Sequence, residues 1–285
     1  MIFDNYEFMY VAAACCVRPF RRLRFLLDYE DKDGKHLIDR SWSRVLSGTA
    51  EWLGRGLLRG AFLAHPGLGQ RLPAGVPHLL IPGFLRPSVR LRSPLSAGVG
   101  LQLLYSGSLD RTRGVDVLLA ALPLLPASGW HLHITGQGML ADEVSRLSNL
   151  ETWRNRIRFY GVLPADAYQG VVSQCQIGLN CQKETDPVSA VTFPSKIFSY
   201  LSAGLMVVSS RASAVPAICG EACHYFESDN PASLAEVLSR VMGEYDRLSA
   251  SMAGAETVRQ YTLEGTAARV KAFLTEAGLL GAGGF

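Results

Sequence analysis

The sequence lacks any apolar run long enough to cross a membrane as a helix, which needs about 20 mostly apolar residues in succession. The longest early candidate, residues 8–17, is about half that length. It follows Asp4 and Glu7, whereas a secretory signal begins with basic residues. Internal repeats and low-complexity tracts are also lacking. These absences predict a soluble cytoplasmic protein.

Charged side chains are sparse: they make up 19% of the 285 residues, against 48% apolar, and the formal net charge is +3. So much apolar surface excludes a disordered chain. Residues 1–100 hold 14 Lys and Arg against 8 Asp and Glu, whereas the other 185 residues hold 14 against 17. That basic excess suits an anionic membrane surface or substrate, or reflects only frequent arginine. A nucleic-acid partner is not expected, because no arginine-rich helix with interleaved aromatic residues occurs.

Metal-ligand patterns are lacking as well. None of the six cysteines belongs to a C-x-x-C pair, and Cys219, Cys223 and His224 form the only cluster of potential ligands. A structural zinc site needs about four ligands at recurrent spacing, and no second half of such a site is present. We therefore predict no metal site and reduced, buried thiols.

Short apolar runs rich in valine, isoleucine and leucine alternate with helical patterns from residue 100 onward. Such alternation is typical of a parallel sheet covered by helices on both faces, so we predict an α/β fold. The predicted strands are residues 101–105, 130–135, 156–160, 176–180, 205–209 and 223–226, and the predicted helices are residues 114–124, 140–147, 165–173, 194–203, 233–248 and 256–277.

The first hundred residues carry a shorter version of the same pattern. Three short strands are predicted, which is too few for a complete doubly wound domain. A stretch with several prolines, glycines and serines then reads as a linker, and the glycine-rich residues 278–285 read as a flexible tail. The predicted strands are residues 23–27, 61–64 and 79–81, the helix is residues 37–58, and the linker is residues 87–100.

Small and polar residues follow four of the predicted strands. In an open parallel sheet, ligands bind beyond the carboxyl ends of the strands, and glycine there lets a ligand approach the backbone. These glycines also serve to make tight turns, but their recurrence favours a binding cleft. The segments are residues 106–108, 135–138, Gly161 and residues 180–182.

Residues 136–141 match the G-x-G-x-x-A pattern of dinucleotide-binding proteins, between a predicted strand and a predicted helix. That pattern requires an acidic residue at the end of the next strand to hold the ribose. The next strand ends at residues 159–161 without one, and Glu151 precedes the strand. A nicotinamide oxidoreductase is therefore only a third hypothesis.

The densest group of candidate residues surrounds the predicted helix start near residue 194. Pro194 suits a first helical turn, and Thr192 is a candidate N-cap. The free N–H groups of a helix N-terminus suit phosphate, to which Ser195 and Lys196 would add a hydroxyl and a full charge. Gly204 would then end the helix. The alternative is an ordinary capped helix with a surface lysine.

A second basic group follows the first strand of this region, where Arg111 and Arg113 flank Thr112 before Gly114. We predict Arg113 in the first turn of a helix. A cation is unfavourable there unless an anion shares the site. The position therefore argues for a bound phosphate.

Four motifs together resemble a known family. Residues 193–204, Phe-Pro-Ser-Lys-Ile-Phe-Ser-Tyr-Leu-Ser-Ala-Gly, resemble the donor-site segment of GT-B-fold glycosyltransferases of the family-4 (glycosyl transferases group 1) type. Residues 105–115 resemble that family's first strand and phosphate loop, and residues 134–138 and 159–163 resemble its second and third strand turns. The four motifs occur in the family's order and at its usual spacing, and together they cover roughly residues 100–275.

The resemblance implies a GT-B-like protein with one complete Rossmann-like domain, residues 91–277, that binds a nucleotide-diphosphate sugar. Residues 1–90 would be a partial amino-terminal Rossmann-like domain on the acceptor side. Arg113 and Lys196 would reach the diphosphate, and Val162 and Leu163 would line the base. The implied donor-binding residues are Gly107, Ser108, Arg113, Gly136, Gln137, Val162, Leu163, Pro194, Ser195, Lys196 and Ser199.

Three positions depart from the family pattern. Ser108 stands where the family often has arginine, and Val191 and Ser199 stand where it often has a pair of glutamates, the second of which holds the donor ribose. Donor affinity and donor identity therefore stay open.

On the acceptor side, Glu30 and Asp31 are candidate catalytic residues near the acceptor hydroxyl, with His36 as a further candidate; each also suits a solvated loop. The resemblance implies a further upstream part of this domain, so we expect a fragment or a truncated homologue. A basic stretch, residues 52–64, suits either internal packing or peripheral contact with the inner face of the membrane.

These observations predict a hexosyltransferase of cell-surface polysaccharide biosynthesis that acts on a glycan or lipid-linked acceptor, with no cofactor and no obligatory metal. A nucleotide-sugar epimerase of the same fold would instead convert its substrate without an acceptor. A non-catalytic remnant would bind the nucleotide sugar without transfer or hydrolysis. Donor nucleotide, sugar, acceptor and stereochemical outcome are not specified by the sequence.

Overall fold

The computed structural model describes residues 2–4, 25–29, 58–85, 100–185, 189, 192–250 and 258–280. The chain divides into two compact units. The first comprises Met1–Phe84, Ala190–Phe193 and Leu263–Phe285, and the second comprises Leu85–Ser189 and Pro194–Thr262.

The first unit contains four strands, β1 (Ile2–Asp4), β2 (Phe25–Tyr29), β3 (Leu58–Leu63) and β4 (His78–Leu80). They form a parallel sheet in the order β1-β2-β3-β4. Its core is apolar, with Phe25, Leu27 and Leu63 almost fully buried. The sequence predicted three strands and missed β1. It also placed Leu58 at the end of a helix, whereas Leu58 begins β3 and is buried there.

The second unit contains six strands, β5 (Leu101–Ser106), β6 (Trp130–Thr135), β7 (Ile157–Phe159), β8 (Ile177–Asn180), β9 (Met206–Ser210) and β10 (Cys223–Phe226). They form a fully parallel sheet in the order β10-β9-β8-β5-β6-β7. The chain winds outward from β5 to β7 and then returns to β8 on the other side of β5, so β5 and β8 flank a topological switch point. All six strands were predicted, with ends shifted by at most one residue.

Helices connect these strands and cover the sheet. They are α1 (Val115–Ala121), α2 (Ala141–Asn149), α3 (Ala165–Gln174), α4 (Lys196–Ser202), α5 (Val215–Cys219), α6 (Pro231–Gly243) and α7 (Tyr245–Ala250). The predicted helix 233–248 is two helices, because α6 ends before Glu244, and the short α5 was not predicted. The helix predicted from Pro194 begins at Lys196.

Alternation along the strands separates an apolar face from a more polar one. In β6, Trp130, Leu132 and Ile134 lie in the main core, whereas His131 and His133 point to the opposite face, as the two-residue period of a strand requires. The parallel α/β architecture predicted from the sequence is confirmed. In the described part of the chain, no helix is both long and apolar enough for a membrane crossing.

The carboxyl-terminal helix α8 (Leu263–Glu276) belongs to the first unit, not to the domain 91–277 in which the sequence placed it. Its Phe273 is buried against Phe62, with ring centroids 5.6 Å apart, and it shares a small apolar cluster with Leu26. Arg269 also donates a hydrogen bond of 2.7 Å to the Leu80 carbonyl oxygen. The chain thus returns to its first sheet after completing the second.

Truncation of the buried ring should show how much this helix stabilises the first unit. We expect Phe273→Ala to lower the free energy of unfolding by about 3 kcal/mol, because it leaves a cavity beside Phe62. The exposed Lys271 on the same helix gives the control Lys271→Ala, which should change it by about 0.5 kcal/mol or less. Urea denaturation followed by circular dichroism measures both. Equal effects of the two substitutions would contradict this packing.

Candidate functional site

Backbone hydrogen bonds join three loops at the carboxyl edge of the second sheet. The Gly107 N–H donates to the Thr135 carbonyl oxygen at 3.0 Å, and the Gly136 N–H donates to the Gly161 carbonyl oxygen at 2.8 Å. The Leu109 N–H donates to the Gln137 carbonyl oxygen, also at 2.8 Å. The loops after β5, β6 and β7 are therefore joined to one another at the edge where the sequence predicts a binding cleft.

Gly136 is required for this close approach. Its φ is +138°, and a Cβ there would lie 1.8 Å from the Gly107 carbonyl oxygen. No side chain fits between the two loops without moving one of them. The G-x-G-x-x-A pattern, which the sequence also allowed for a dinucleotide, thus has a structural explanation in loop packing.

Asp110 fastens the first loop to the second. One carboxylate oxygen accepts from the Ser108 hydroxyl, and the other accepts from the Met139 N–H at 2.9 Å. The Ser108 hydrogen bond, then the Met139 hydrogen bond and the nearby Arg113 charge, hold the pKa of Asp110 below its usual value despite partial burial. Ser108, a predicted donor ligand, therefore binds Asp110 with its hydroxyl, a contact that sequence reasoning missed.

The ammonium group of Lys196, the first residue of α4, is enclosed by neighbouring residues. Nζ lies 4.1 Å from the centre of the Tyr105 ring, and a Cβ at Gly107 would lie 3.3 Å from it. Nζ is buried, and no described residue accepts a hydrogen bond from it. Burial lowers the pKa of Lys196 to about 8; the Cys181 thiol opposes this shift, and the Arg113 charge adds to it.

An isolated buried ammonium is unfavourable unless a negative group neutralises it. The position of Lys196 at a glycine-lined strand edge is therefore typical of an anion site. A phosphate oxygen there would accept the missing hydrogen bond, and the ring face of Tyr105 would stabilise the cation from the other side.

Tyr200 fixes α4 relative to β5. Its hydroxyl accepts from the Ser106 N–H at 2.9 Å and lies 3.0 Å from the Ser106 hydroxyl, which in turn lies 3.1 Å from the Tyr168 hydroxyl. The Tyr200 ring packs so closely on β8 that a Cβ at Gly178 would lie 2.4 Å from it. Lys196 precedes Tyr200 by about one helical turn, so this contact sets the position of the ammonium group.

Arg113 lies in a short 3-10 turn, Arg111–Arg113, rather than in the first turn of the following helix as predicted. Gly114 separates the turn from α1 and adopts a left-handed conformation, with φ of +69°. The Tyr105 hydroxyl donates to the Ser108 carbonyl oxygen at 2.9 Å and more weakly to that of Arg113 at 3.4 Å. Arg113 is thus held beside the loop that surrounds Lys196.

The predicted cap of α4 is wrong. Ser195, not Thr192, is the N-cap residue; its side chain makes no capping hydrogen bond, and buried Pro194 precedes the helix. Ser199 is exposed, and its hydroxyl donates a long hydrogen bond of 3.5 Å to the Ser195 carbonyl oxygen. The sequence placed the helix start at Pro194, two residues before the observed first helical residue, Lys196.

The remaining predicted residues differ in exposure and in whether they are described. Val162 is 65% exposed after β7, Leu163 is half-buried, and Gln137 is exposed on the second loop. Several predictions lie outside the described residues, namely the candidate catalytic residues Glu30 and Asp31, His36, Val191, the helix 37–57 and the linker 87–99.

The candidate ligand cluster near β10 consists of ordinary buried thiols. Cys219 and Cys223 are free and buried, and a hydrogen bond between them, followed by burial, raises the pKa of Cys223. Among the residues that the structure describes, no three His, Cys, Asp or Glu side chains come together to hold a metal ion.

Comparison with protein families gives one match. Residues 100–244 match the model described as "Glycosyl transferases group 1", which is just over half of the chain. No curated protein matches the sequence.

Comparison with solved structures gives many matches. HepE from Anabaena, in complex with UDP, is 16% identical, with a TM-score of 0.71 over 96% of this chain and 78% of HepE. The lipopolysaccharide outer core galactosyltransferase WaaB is 14% identical, with 0.68 over 96% and 75%. Sucrose-phosphate synthase from Thermosynechococcus elongatus is 15% identical, with 0.65 over 96% and 72%. At these identities the likeness shows the fold, and it confirms the predicted GT-B class.

Replacement of the buried ammonium should stabilise the protein without ligand. The pKa of Lys196 is about 8 in the folded chain and 10.5 ordinarily, so between these values the unfolded chain binds more protons and stability rises with pH. We expect Lys196→Met to raise the free energy of unfolding at pH 7 by about 2 kcal/mol. The variant should also lack the increase in the free energy of unfolding that the wild type shows between pH 8 and 10. Chemical denaturation at several pH values measures both effects.

The control is Lys271→Met, which replaces an exposed lysine of α8 and should leave the pH dependence unchanged. A Lys196→Met protein that is less stable than the wild type at pH 7 would show that the ammonium is well solvated or paired.

Proposed function

The chain belongs to the glycosyl transferases group 1 family and is a glycosyltransferase, and we propose that its donor is a nucleotide-diphosphate sugar bound at the carboxyl edge of the second sheet. The buried ammonium group of Lys196, without an acceptor among the described residues, carries this proposal. HepE, which shares the fold at 16% or 15% identity, has been solved with UDP, with UDP and glucose, and with UDP-glucose.

The diphosphate would lie between the first loop and α4. Gly107 presents only backbone beside Lys196 Nζ, and a Cβ there would lie 3.3 Å from it, so no side chain of this residue would stand between the ammonium group and a phosphate. Arg113 supplies a second cation near this position, as its effect on the pKa of Lys196 requires. A diphosphate carries enough negative charge to be shared between the two. Ser195 and Ser199, exposed on the first turn of α4, would face the ribose and phosphates.

The nucleobase would rest on the loop after β7. Val162 is 65% exposed and Leu163 half-buried, which is an apolar surface of the kind that a planar base covers. The Gly136 N–H donates a hydrogen bond to the Gly161 carbonyl oxygen, which joins the loop after β6 to the loop after β7. Gly136 and Gln137 would therefore border the ribose that follows the base. Every part of the donor would then lie along the carboxyl edge of the second sheet.

The chemical step is transfer of the sugar to an acceptor hydroxyl. The bond between the anomeric carbon and the diphosphate oxygen breaks, and its electron pair stays on the diphosphate. A new bond forms between the anomeric carbon and the acceptor oxygen, whose proton passes to a base. Lys196 and Arg113 would stabilise the negative charge that develops on the leaving diphosphate, which lowers the barrier for this step.

The acceptor side belongs to residues 1–90 in this proposal, with Glu30 and Asp31 as the candidate bases. We further propose a glycan or lipid-linked acceptor of cell-surface polysaccharide biosynthesis, reached from the cytoplasm. WaaB, a lipopolysaccharide outer core galactosyltransferase by name, has the same fold at 14% identity.

Nucleoside diphosphate binding tests the role of Lys196. We expect UDP, or GDP or ADP if the base differs, to bind the wild-type chain and to bind Lys196→Met at least tenfold more weakly, because the variant cannot neutralise the diphosphate. Binding should also take up protons near pH 8, since the bound anion raises the pKa of Lys196 from about 8. Titration calorimetry in buffers of different ionisation enthalpy measures affinity and proton uptake together.

Lys271→Met is again the matched control, and it should bind as the wild type does. Equal affinity of wild type and Lys196→Met would remove Lys196 from the site. Conversion of a nucleotide sugar into its epimer in the absence of an acceptor would contradict the proposed transfer reaction.

A further inference from the structure

A second polar cavity lies on the opposite side of the second unit from the glycine-lined loops. Its volume is about 310 Å³, and its lining includes Gln102, His131, Arg154, Arg158 and Gln174. Gln102 and His131 lie near the starts of β5 and β6, and Gln174 ends α3. Because successive residues of a strand are about 3.3 Å apart, the lining residues of β6, His131 to His133, lie roughly 7–13 Å from Thr135 at the carboxyl edge.

The cavity is basic and contains no carboxylate. Three arginines and two histidines line it, and no Asp or Glu does. Arg156 is already used: it stacks on Trp130 and Trp153 and donates to the Ala127 carbonyl oxygen at 2.9 Å. Among the residues that the structure describes, Arg154 pairs only with Glu151, in a long and exposed ion pair of 3.5 Å. Arg158 is exposed on β7 next to His133, its register partner on β6.

A hydrogen-bond network fixes the orientation of the polar groups in this cavity. The Gly100 carbonyl oxygen can only accept, so the Gln102 atom 2.6 Å from it is the amide nitrogen. The same nitrogen donates to His131 Nδ1 at 3.2 Å, and the Gln102 oxygen accepts from His133 Nε2 at 2.8 Å. His133 Nδ1 then accepts from the Tyr160 hydroxyl at 2.8 Å.

These assignments leave one ring N–H available to a ligand. His131 accepts at Nδ1, so its proton is on Nε2, for which the described residues provide no acceptor. His133 is neutral: burial, then the charge of Arg158, lowers its pKa to about 4. The cavity therefore offers the His131 Nε2–H and the amide oxygens of Gln102 and Gln174. Beside them lie Arg158, for which the described residues provide no ion pair, and Arg154, whose exposed pair with Glu151 is long.

We propose that this cavity is a second binding site, for a free sugar phosphate. The guanidinium groups of Arg154 and Arg158 would hold the phosphate, since a planar fork of N–H donors matches its oxygens. The His131 Nε2–H and the amide oxygens of Gln102 and Gln174 would hydrogen-bond the sugar hydroxyls. A volume of about 310 Å³ lies at the small end of ligand pockets, which fits a single phosphorylated sugar ring rather than a nucleotide sugar.

Glucose 6-phosphate is the probe, and the test uses Lys196→Met so that binding at the glycine-lined edge does not contribute. We expect saturable binding of glucose 6-phosphate by calorimetry, weaker binding of inorganic phosphate and none of glucose. Arg158→Gln should weaken glucose 6-phosphate binding at least tenfold. Arg158 is exposed, so this variant should fold. Arg146→Gln on α2, which replaces an exposed arginine outside the lining, should bind as its parent does.

Three results would overturn the proposal: no binding of glucose 6-phosphate, equal effects of Arg158→Gln and Arg146→Gln, or inorganic phosphate binding as tightly as glucose 6-phosphate. The outcome is independent of the proposed donor site. A wild-type chain that binds UDP while its Lys196→Met variant fails to bind glucose 6-phosphate would contradict only this second site.

Discussion

The carboxyl edge of the second sheet is organised around one unfavourable group, the buried ammonium of Lys196. The surrounding contacts keep it in place without neutralising it: Tyr105 presents only a ring face, Gly107 presents backbone, and Tyr200 anchors the helix that carries it. A folded chain that holds a desolvated cation in this way is less stable than one with an apolar residue there. The arrangement is favourable once an anion binds, because the ligand then supplies the acceptor that the protein omits.

Contacts between the neighbouring loops support this arrangement. A loop that moved away would let Lys196 reach solvent, and burial of the charge would then be lost. The loops after β5 and β6 approach so closely that a Cβ at Gly136 would lie 1.8 Å from the Gly107 carbonyl oxygen. The carboxylate of Asp110 connects the same loops, since it joins Ser108 to Met139. Preorganised loops spare the bound state most of the entropy that ordering them would otherwise cost.

Sequence reasoning recovered what depends on local periodicity. Strands β6 and β10 were predicted with their observed bounds, because uninterrupted apolar runs between turn residues have few alternatives. It failed where a contact joins distant residues. Nothing near Phe273 in the sequence indicates Phe62 as its neighbour, so α8 was placed in the wrong unit. Ser106 and Tyr200 are 94 residues apart, and only the fold reveals their hydrogen bond. The cap of α4 was wrong because Thr192, Pro194 and Ser195 all suit helix starts.

Overall charge is a poor guide to the two anion sites proposed here. The basic excess lies in residues 1–100, yet Lys196 and the arginines around β7 lie in the acidic remainder of the chain. Solvated charges on a surface are screened within about 8 Å at physiological ionic strength, so their sum says little about any one site. What matters is whether a cation lacks both solvent and a carboxylate. Lys196 meets that condition through burial. Arg158 is exposed and meets only the second part of it, because no Asp or Glu lines its cavity. The two proposed anion sites, at opposite ends of one sheet, thus both depend on a cation without a carboxylate partner, and net charge indicates neither site.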